Sequence, residues 1–384
     1  MRIAMPTDSY LPTRDGVVTS VISAKQSLEA LGHEVIVVAP DPGEGAREDG
    51  TIYFPSRSFR SYPGYFVPIY PSNKIETIRE LNVDIIHSQG QLTMAVRSML
   101  ASRELKLPVV ISFHTMVTEA MQYYSPIPLN IEIAEKLFWI YFRYLLNHAD
   151  AVIAPTEAIK KELLSRAPAI KRIEVIPTGI DTKRFNPSLD GTIIRERYSL
   201  DGYRVVLHVG RISFEKNIGT VIRALKYLPE DVILLLVGTG PAMENMKMLA
   251  EELGISDRVV FTGFVPDTEI PLYYAAADTL VIASKFETQG LVVLEAMGCG
   301  TPVAAIGYRA LKDTIENGVN GYLFEDDPLS CARAVTACLE ADGEMKRAAR
   351  RTAERYSMET SAERMVSLYE DAIEIKRRRL KGRN

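Results

Sequence analysis

Short runs of β-branched residues alternate with amphipathic helical stretches along almost the whole chain, and this alternation leaves few folds open. In the first half, residues 2–5, 34–39, 84–87, 109–113 and 150–154 read as strands, with helices between them such as 17–31 and 92–105. The second half repeats the plan. Its strands fall at 204–209, 232–237, 258–262, 279–283 and 303–305, and its helices include 217–227 and 241–253. Strands separated by helices pair in parallel, and the helices cover both faces of the sheet. Ligands bind such sheets beyond the carboxyl ends of the strands. The expectation is therefore an α/β chain whose two parallel sheets face one cleft.

With 384 residues the chain is long for one domain and comfortable for two. Glycine and proline punctuate Pro177-Thr178-Gly179-Ile180-Asp181 and Asn186-Pro187, and regular patterning resumes near Arg204. We expect a first domain over 1–178, a linker over 179–200 and a second domain over 201–356. A C-terminal helix over 357–384 is expected to pack back on the first domain. Its pattern runs from 357 to 376 and ends in Lys376-Arg377-Arg378-Arg379, cations that suit a helix C-terminus.

Apolar residues make up 47% of the chain and charged ones 24%, the composition of a globular protein. A net charge of −4 gives no global attraction to nucleic acid, so an anionic ligand must be held by local groups. Cys299, Cys331 and Cys338 form no disulfide framework, and no Cys-x-x-Cys or histidine cluster offers a metal site. Arg2-Ile3-Ala4-Met5 reads as a first strand with no charged-then-apolar leader before it, and no run reaches the roughly eighteen apolar residues of a membrane span. A cytoplasmic location in a reducing compartment is the expectation.

The strongest local signal runs from Phe286-Glu287-Thr288-Gln289-Gly290-Leu291-Val292 to Leu294-Glu295-Ala296-Met297. It follows a buried-strand pattern and opens a helix. Gly290 sits at the turn, and the N–H groups of Leu291 and Val292 at the helix start suit an anion. A glutamate on a helix is usually solvated. Glu295, however, lies among apolar neighbours, and a carboxylate there needs a partner. A ribose diol is one, while Glu287, before the helix, is placed to reach sugar hydroxyls. The second signal is Gly210-Arg211-Ile212-Ser213-Phe214-Glu215-Lys216-Asn217, between a strand and a helix. Arg211 offers forked donors and Lys216 a point charge, a pair suited to neutralising a diphosphate.

Together with Pro177-Thr178-Gly179-Ile180-Asp181, Asp15-Gly16-Val17-Val18, Gly32-His33-Glu34-Val35 and Phe113-His114-Thr115, these motifs resemble the retaining GT-B glycosyltransferases of family four, over essentially the whole chain. The resemblance implies two Rossmann-like domains facing an interdomain cleft, no metal and no cofactor. It implies that Gly16 lets the first loop approach the donor diphosphate, and that His114 contacts the transferred sugar near its reacting carbon. Arg211 and Lys216 would bind the diphosphate, Glu287 the sugar hydroxyls and Glu295 the ribose. Thr288, Gln289, Gly290, Leu291 and Val292 would complete the donor site, and Val265 would flank the base through backbone. His114, Arg211, Lys216 and Glu287 form the implied catalytic set. Retention would proceed by front-face attack, with the leaving phosphate helping to deprotonate the acceptor. Asp15 departs from the Gly-Gly or Asn-Gly of many members, so its charge must point away from the phosphates or serve the acceptor side. His33, His87, His148 and His208 are assigned to packing or hydrogen bonding.

Glu287-Thr288-Gln289-Gly290-Leu291-Val292, with His114-Thr115 and Tyr123-Tyr124, is similar to the diacylglycerol glucosyltransferase branch. This likeness implies a hexosyltransferase that uses a UDP-glucose-like donor and a hydroxyl acceptor, with a membrane lipid as a candidate. The segments 57–66 and 137–144 combine aromatics and cations that suit a lipid interface, which would bring the first domain to the inner face of a membrane. For the second segment a buried core helix, apolar all round, is the competing reading. Three other functions share parts of the pattern. A nucleotide-sugar epimerase would need an acid–base pair that His114 lacks in sequence. A non-catalytic nucleotide-sugar-binding protein would not need the full set of Arg211, Lys216, Glu287 and Glu295. A dehydrogenase would need a glycine fingerprint that Pro241 breaks after Gly238-Thr239-Gly240.

Overall fold

The computed structural model describes residues 1–13, 15–43, 47–58, 66–68, 75–114 and 131–382. Thr115, Tyr123, Tyr124 and the aromatic stretch 59–65 lie outside the described residues. The chain divides into two compact units, Met1–Gly179 with Met358–Asn384, and Ile180–Ser357.

The first unit is built on strands β1 (Arg2–Pro6), β2 (Glu34–Pro40), β3 (Ile52–Phe54), β4 (Ser56–Ser58), β5 (Phe66–Pro68), β6 (Ile85–Ser88), β7 (Val109–Ser112), β8 (Ala151–Ala154) and β9 (Ile173–Val175). Seven of them form one sheet in the order β3-β2-β1-β6-β7-β8-β9, and β4 and β5 form a separate pair. Every pairing in the large sheet is parallel. The second unit holds β10 (Arg204–Val209), β11 (Val232–Val237), β12 (Val259–Gly263), β13 (Thr279–Ile282), β14 (Val303–Ile306) and β15 (Gly321–Phe324), in the order β12-β11-β10-β13-β14-β15 and again all parallel. All six residues of Val232–Val237 are buried, as a strand covered by helices on both faces requires. In each sheet the chain winds outward from its first strand and then returns to the other side of it. The reversal lies between β1 and β6 in one unit and between β10 and β13 in the other. Loops leaving the carboxyl ends of two such strands diverge and open a crevice.

One expectation needs amendment. Residues 179–200 are no free linker, because Ile180, Phe185, Ile194 and Leu200 are buried in the core of the second unit. The segment also contains a short helix, Thr192–Arg197. The C-terminal helix, Met358–Lys381, carries Arg378, Arg379 and Lys381 in its last turn, as the charge pattern suggested. There the cations are structural anchors. Lys376 Nζ lies 2.8 Å from Ser102 Oγ, and Arg379 reaches the fully buried Asp150 at 2.7 Å. Lys376 and Lys171 each stand 3.7 Å from the same carboxylate, and Val109 N–H donates to it at 3.1 Å. Burial pulls the Lys171 ammonium down to about 8 despite Asp150 beside it.

The helix Ile131–His148 is apolar on two faces for different reasons. Trp139, Phe142, Leu145 and Leu146 are buried, which the core-helix reading explains. Ile133, Leu137, Ile140 and Tyr144 repeat on the opposite side, and each leaves more than half of its surface in water. Among the described residues no helix is long and apolar enough to cross a membrane.

The Asp150 cluster sets a first prediction. Asp150→Asn leaves three cations around a neutral amide. The expected cost is about 2–3 kcal/mol, below the ~3–5 kcal/mol of a fully buried pair, because Arg379 keeps a third of its side chain exposed. A fall in the urea midpoint at unchanged m would show it; an unchanged midpoint would show that the cluster holds nothing.

Candidate functional site

In the second unit the two sequence motifs occupy the loops on either side of the β10/β13 reversal. The first loop leaves β10 at Gly210, whose φ of +145° only glycine adopts freely. Backbone fixes its course. Gly210 N–H donates to Val237 O, Ile212 N–H to Thr239 O, and Ala242 N–H back to Ile212 O. Such close backbone approach excludes side chains. A Cβ on Gly238 would lie 2.0 Å from Gly210 O, and one on Gly240 would lie 2.2 Å from Ile212 O. Gly238 and Gly240, residues that suggested a dinucleotide fingerprint, therefore buttress the arginine loop.

On that loop Arg211 Nη2 donates to Glu215 Oε1 at 2.7 Å, and Ser213 Oγ donates to the same oxygen at 2.6 Å. Glu215 is buried and sets the direction of the guanidinium. A short 3-10 turn over Phe214–Lys216 turns Lys216 toward the second loop, where its Nζ meets Glu287 Oε1 at 2.6 Å. The pair is largely shielded, with 27% of the Lys216 side chain and 15% of the Glu287 side chain exposed. Burial pushes the Glu287 carboxyl up. The Lys216 charge, its hydrogen bond, Ser284 and His208 together outweigh that push and hold the group below the ordinary carboxylate range. Asp326 ties the same two loops at another point, accepting from Asn217 Nδ2 at 2.8 Å and Lys285 Nζ at 2.5 Å.

Gly290 opens the helix Leu291–Gly298 with a φ of +80° and caps it without a side chain. A Cβ there would press on Leu311 Cδ2 at 3.0 Å. The start of this helix carries Leu291 and Val292, next to the Thr288-Gln289 turn, and Gln289 is buried. Glu295 lies further along the same helix and is half-buried. Its partner within the chain is Tyr274, whose hydroxyl donates to Glu295 Oε2 at 2.7 Å. Burial raises its carboxyl above the usual range, outweighing the Tyr274 hydroxyl and Arg184. The Val265 side chain is buried in the core, so only its backbone can face a ligand, while Phe264 before it is 71% exposed.

Gly16 and His114 belong to the first unit, Gly16 closing the connection from β1 to the next helix and His114 two residues beyond the end of β7. Gly16 starts the helix Gly16–Ala30, and a Cβ on it would meet nothing within 4 Å. Asp15 resolves its own charge. Its Oδ1 accepts Val18 N–H at 2.8 Å as the helix cap, and its Oδ2 accepts Ser9 Oγ at 3.1 Å. His114 Nε2 lies 2.5 Å from Gln89 Oε1, an oxygen that only accepts, so this nitrogen carries the proton. Burial pulls the His114 imidazole down to about 4 against the opposing Asp15 charge, leaving it neutral at pH 7. Behind it His87 bridges Tyr369 at 2.6 Å and Ser112 at 2.7 Å.

The structure thus joins Lys216 to Glu287, puts Arg211 on the Lys216 loop, and turns Glu295 toward Tyr274. Sequence reasoning quoted Glu215 and Ser213 without giving them a role and missed Tyr274, Gln89 and Asp326. For Gln89 a signal existed in its place at a strand end, but nothing in sequence links Tyr274 to Glu295. Among the described residues no three His, Cys, Asp or Glu side chains stand where they could hold a metal ion.

Comparison with known proteins gives this geometry a family. Residues 14–184 match the model described as Glycosyltransferase Family 4, and residues 191–356 match that of Glycosyl transferases group 1. The alpha-monoglucosyldiacylglycerol synthase of Streptococcus pneumoniae is 34% identical over 97% of this chain and 86% of its own length. The chain is a family 4 glycosyltransferase. The enzyme of the same description from Acholeplasma laidlawii is 28% identical and covered over 99% of both chains. Among solved structures, Anabaena HepE in complex with UDP aligns over 96% of this chain and 99% of that one with a TM-score of 0.77 at 22% identity. This likeness identifies the GT-B fold with its two Rossmann-like domains.

The glycines of this glycosyltransferase differ in what a side chain would meet: backbone at Gly240, open space at Gly16. Gly240→Ala should lower stability by about 1–3 kcal/mol through its clash with backbone. Gly16→Ala should melt with the wild type, because a Cβ there meets no atom of the protein, and should lose donor turnover if the family resemblance places the donor diphosphate against it. Melting temperatures and turnover measured side by side test both, and a Gly16→Ala enzyme with full turnover would refute the second.

Proposed function

We propose that this glycosyltransferase moves a hexose from a nucleotide-diphosphate sugar, with UDP-glucose as the first donor to try, to a lipid hydroxyl, with retention and without a metal. The observation that carries the reading is the Lys216–Glu287 pair at 2.6 Å beside the Arg211 loop and the side-chain-free start of the helix Leu291–Gly298. Breaking a glycosyl–phosphate bond loads negative charge on the leaving diphosphate. Preorganised donors aimed at that charge are the largest available source of rate. In this reading Arg211, aligned by Glu215, and Lys216 bind the diphosphate, with the N–H groups of Leu291 and Val292 at the positive end of a helix. Thr288, Gln289 and Gly290 shape the approach to it. The sugar displaces Lys216 from Glu287, which then accepts from sugar hydroxyls. Glu295 exchanges or shares its Tyr274 bond with the ribose. Gly16 gives the diphosphate room, His114 as a neutral donor contacts the sugar near the reacting carbon, and the backbone at Val265 flanks the base.

The named relatives support the finer points. The S. pneumoniae and A. laidlawii proteins are synthases of an alpha-glucosyl diacylglycerol, and HepE has been solved with UDP-glucose. UDP-glucose is itself alpha-linked, so an alpha product means retention. No side chain of this chain is assigned as a nucleophile, and front-face attack assisted by the leaving phosphate remains the mechanism that fits.

A lipid acceptor must be met at a membrane surface. The stripe Ile133, Leu137, Ile140 and Tyr144, exposed by 58%, 62%, 59% and 57%, suits that contact. Leu92, Val96 and Leu100, at and along the adjacent helix Thr93–Leu105, are exposed too, and Lys136 and Arg143 flank the stripe with positive charge. Apolar side chains fringed by cations bind the interface of an anionic bilayer. We place the work at the inner face of the membrane.

Two experiments test this reading. Lys216→Ala should keep its fold and lose about 10²–10³-fold in turnover of UDP-glucose; undiminished turnover in a folded variant would sink the donor assignment. The double variant Leu137→Glu/Ile140→Glu should lose co-sedimentation with anionic vesicles containing diacylglycerol while still turning over donor with a water-soluble acceptor. Equal vesicle binding by wild type and variant would remove the membrane contact.

A further inference from the structure

His208 lies on β10, 2% exposed, immediately before the Val209-Gly210 turn into the arginine loop. Its Nδ1 stands 3.2 Å from Val281 O on β13, the strand across the reversal. A carbonyl oxygen only accepts, so Nδ1 carries the proton and Nε2 presents a lone pair. That lone pair is buried with no hydrogen-bond partner. An orphaned buried acceptor destabilises a fold, so its presence calls for a use. It points toward the loop, since a Cβ built on Gly210 would sit 3.9 Å from Nε2. The charges of Lys216 and Glu287 both act on this ring. Burial above all, with Lys216 adding to it, pulls the imidazole down to about 4, against the Val281 bond and Glu287, so it is neutral at working pH.

We propose that His208 is a positioning residue for Lys216, its Nε2 accepting an ammonium N–H when bound donor draws Lys216 away from Glu287. The proposal rests on the donor-site reading of that pair. An ammonium has three N–H donors. In the resting arrangement one is directed to Glu287. Once sugar hydroxyls occupy Glu287 and the diphosphate takes Lys216, the ammonium loses its protein anchor on a flexible stem. A second carboxylate would hold it but would cancel the charge the leaving phosphate needs. A neutral ring nitrogen fixes direction and leaves the full charge available. A Cβ on Gly210 would sit in van der Waals contact with Nε2, and glycine leaves that space free.

Three substitutions separate this role from packing. His208→Asn keeps an N–H for Val281 O and has no atom at the Nε2 position. His208→Gln returns an acceptor near that position and gives up the Val281 bond. His208→Phe keeps the volume with neither. With UDP-glucose as the probe, the Asn and Phe variants are expected to lose about tenfold or more in kcat, the effect of one charge-assisted hydrogen bond, with KM little changed. The Gln variant should retain most of kcat. In a Lys216→Ala background His208→Phe should have no further effect, the signature of coupled residues. Wild-type kcat in a folded Asn variant, rescue by Asn and not by Gln, or full additivity with Lys216→Ala would each overturn the role. Undiminished turnover in Lys216→Ala alone would instead mark failure of the donor-site reading, and the role would fall with it.

Discussion

Lys216 and Glu287 are 71 positions apart and meet at 2.6 Å. That contact exists because β10 and β13 are neighbours at the point where the sheet reverses direction, so side chains of the two diverging loops can reach across the crevice between them. An ammonium and a carboxylate held this way, mostly out of water, are stable together and each is costly alone. In the proposed function the pair is the donor site at rest. A ligand that brings negative charge for one partner and hydroxyls for the other can open it without leaving either group unsatisfied. A nucleotide sugar carries both.

What surrounds the pair keeps its loops from drifting. Glycine-to-backbone contacts at Gly238 and Gly240 lock the Arg211 loop against the turn after β11. Glu215 and Ser213 aim the guanidinium, and Asp326 ties the two loops from a third direction. Preorganisation of this kind matters more to a charge-stabilising catalyst than any single bond, since donors already in place need no reorganisation as charge develops. In the first unit the same economy appears in neutral form. His114 is held by Gln89, and His87 is held between Ser112 and Tyr369 of the C-terminal helix. Burial removes the charge from both rings, so these histidines act as neutral hydrogen-bonding groups.

Much of this was legible in the residues. Alternating apolar runs define parallel sheets because only strands buried on both faces are apolar throughout, and the second-unit strands 204–209 and 232–237 were read to the residue. The Arg211 loop and the Glu287 segment stood out because charged side chains at strand-to-helix turns are a local pattern. Their meeting was suggested only by resemblance. Glu295 was read as needing a partner, which local context does show, but Tyr274 was invisible because it comes from another helix. The basic residues do sit in the last turn of the last helix, and that Arg379 is also an anchor was invisible because its partner Asp150 lies 229 positions away in sequence.

The sequence by itself determined the two parallel sheets, the kinds of chemistry available and the loops that carry it. Periodicity, glycine turns and charge at strand ends are properties of neighbouring residues. The tertiary structure alone decided which charges pair, which histidines are neutral, and that the helix Ile131–His148 shows an apolar face to water. It also decided that His208 turns an unpartnered nitrogen toward the arginine loop. Those are matters of burial and of contacts between distant segments. Desolvation and Coulomb energy depend on distance in space, which no local pattern encodes.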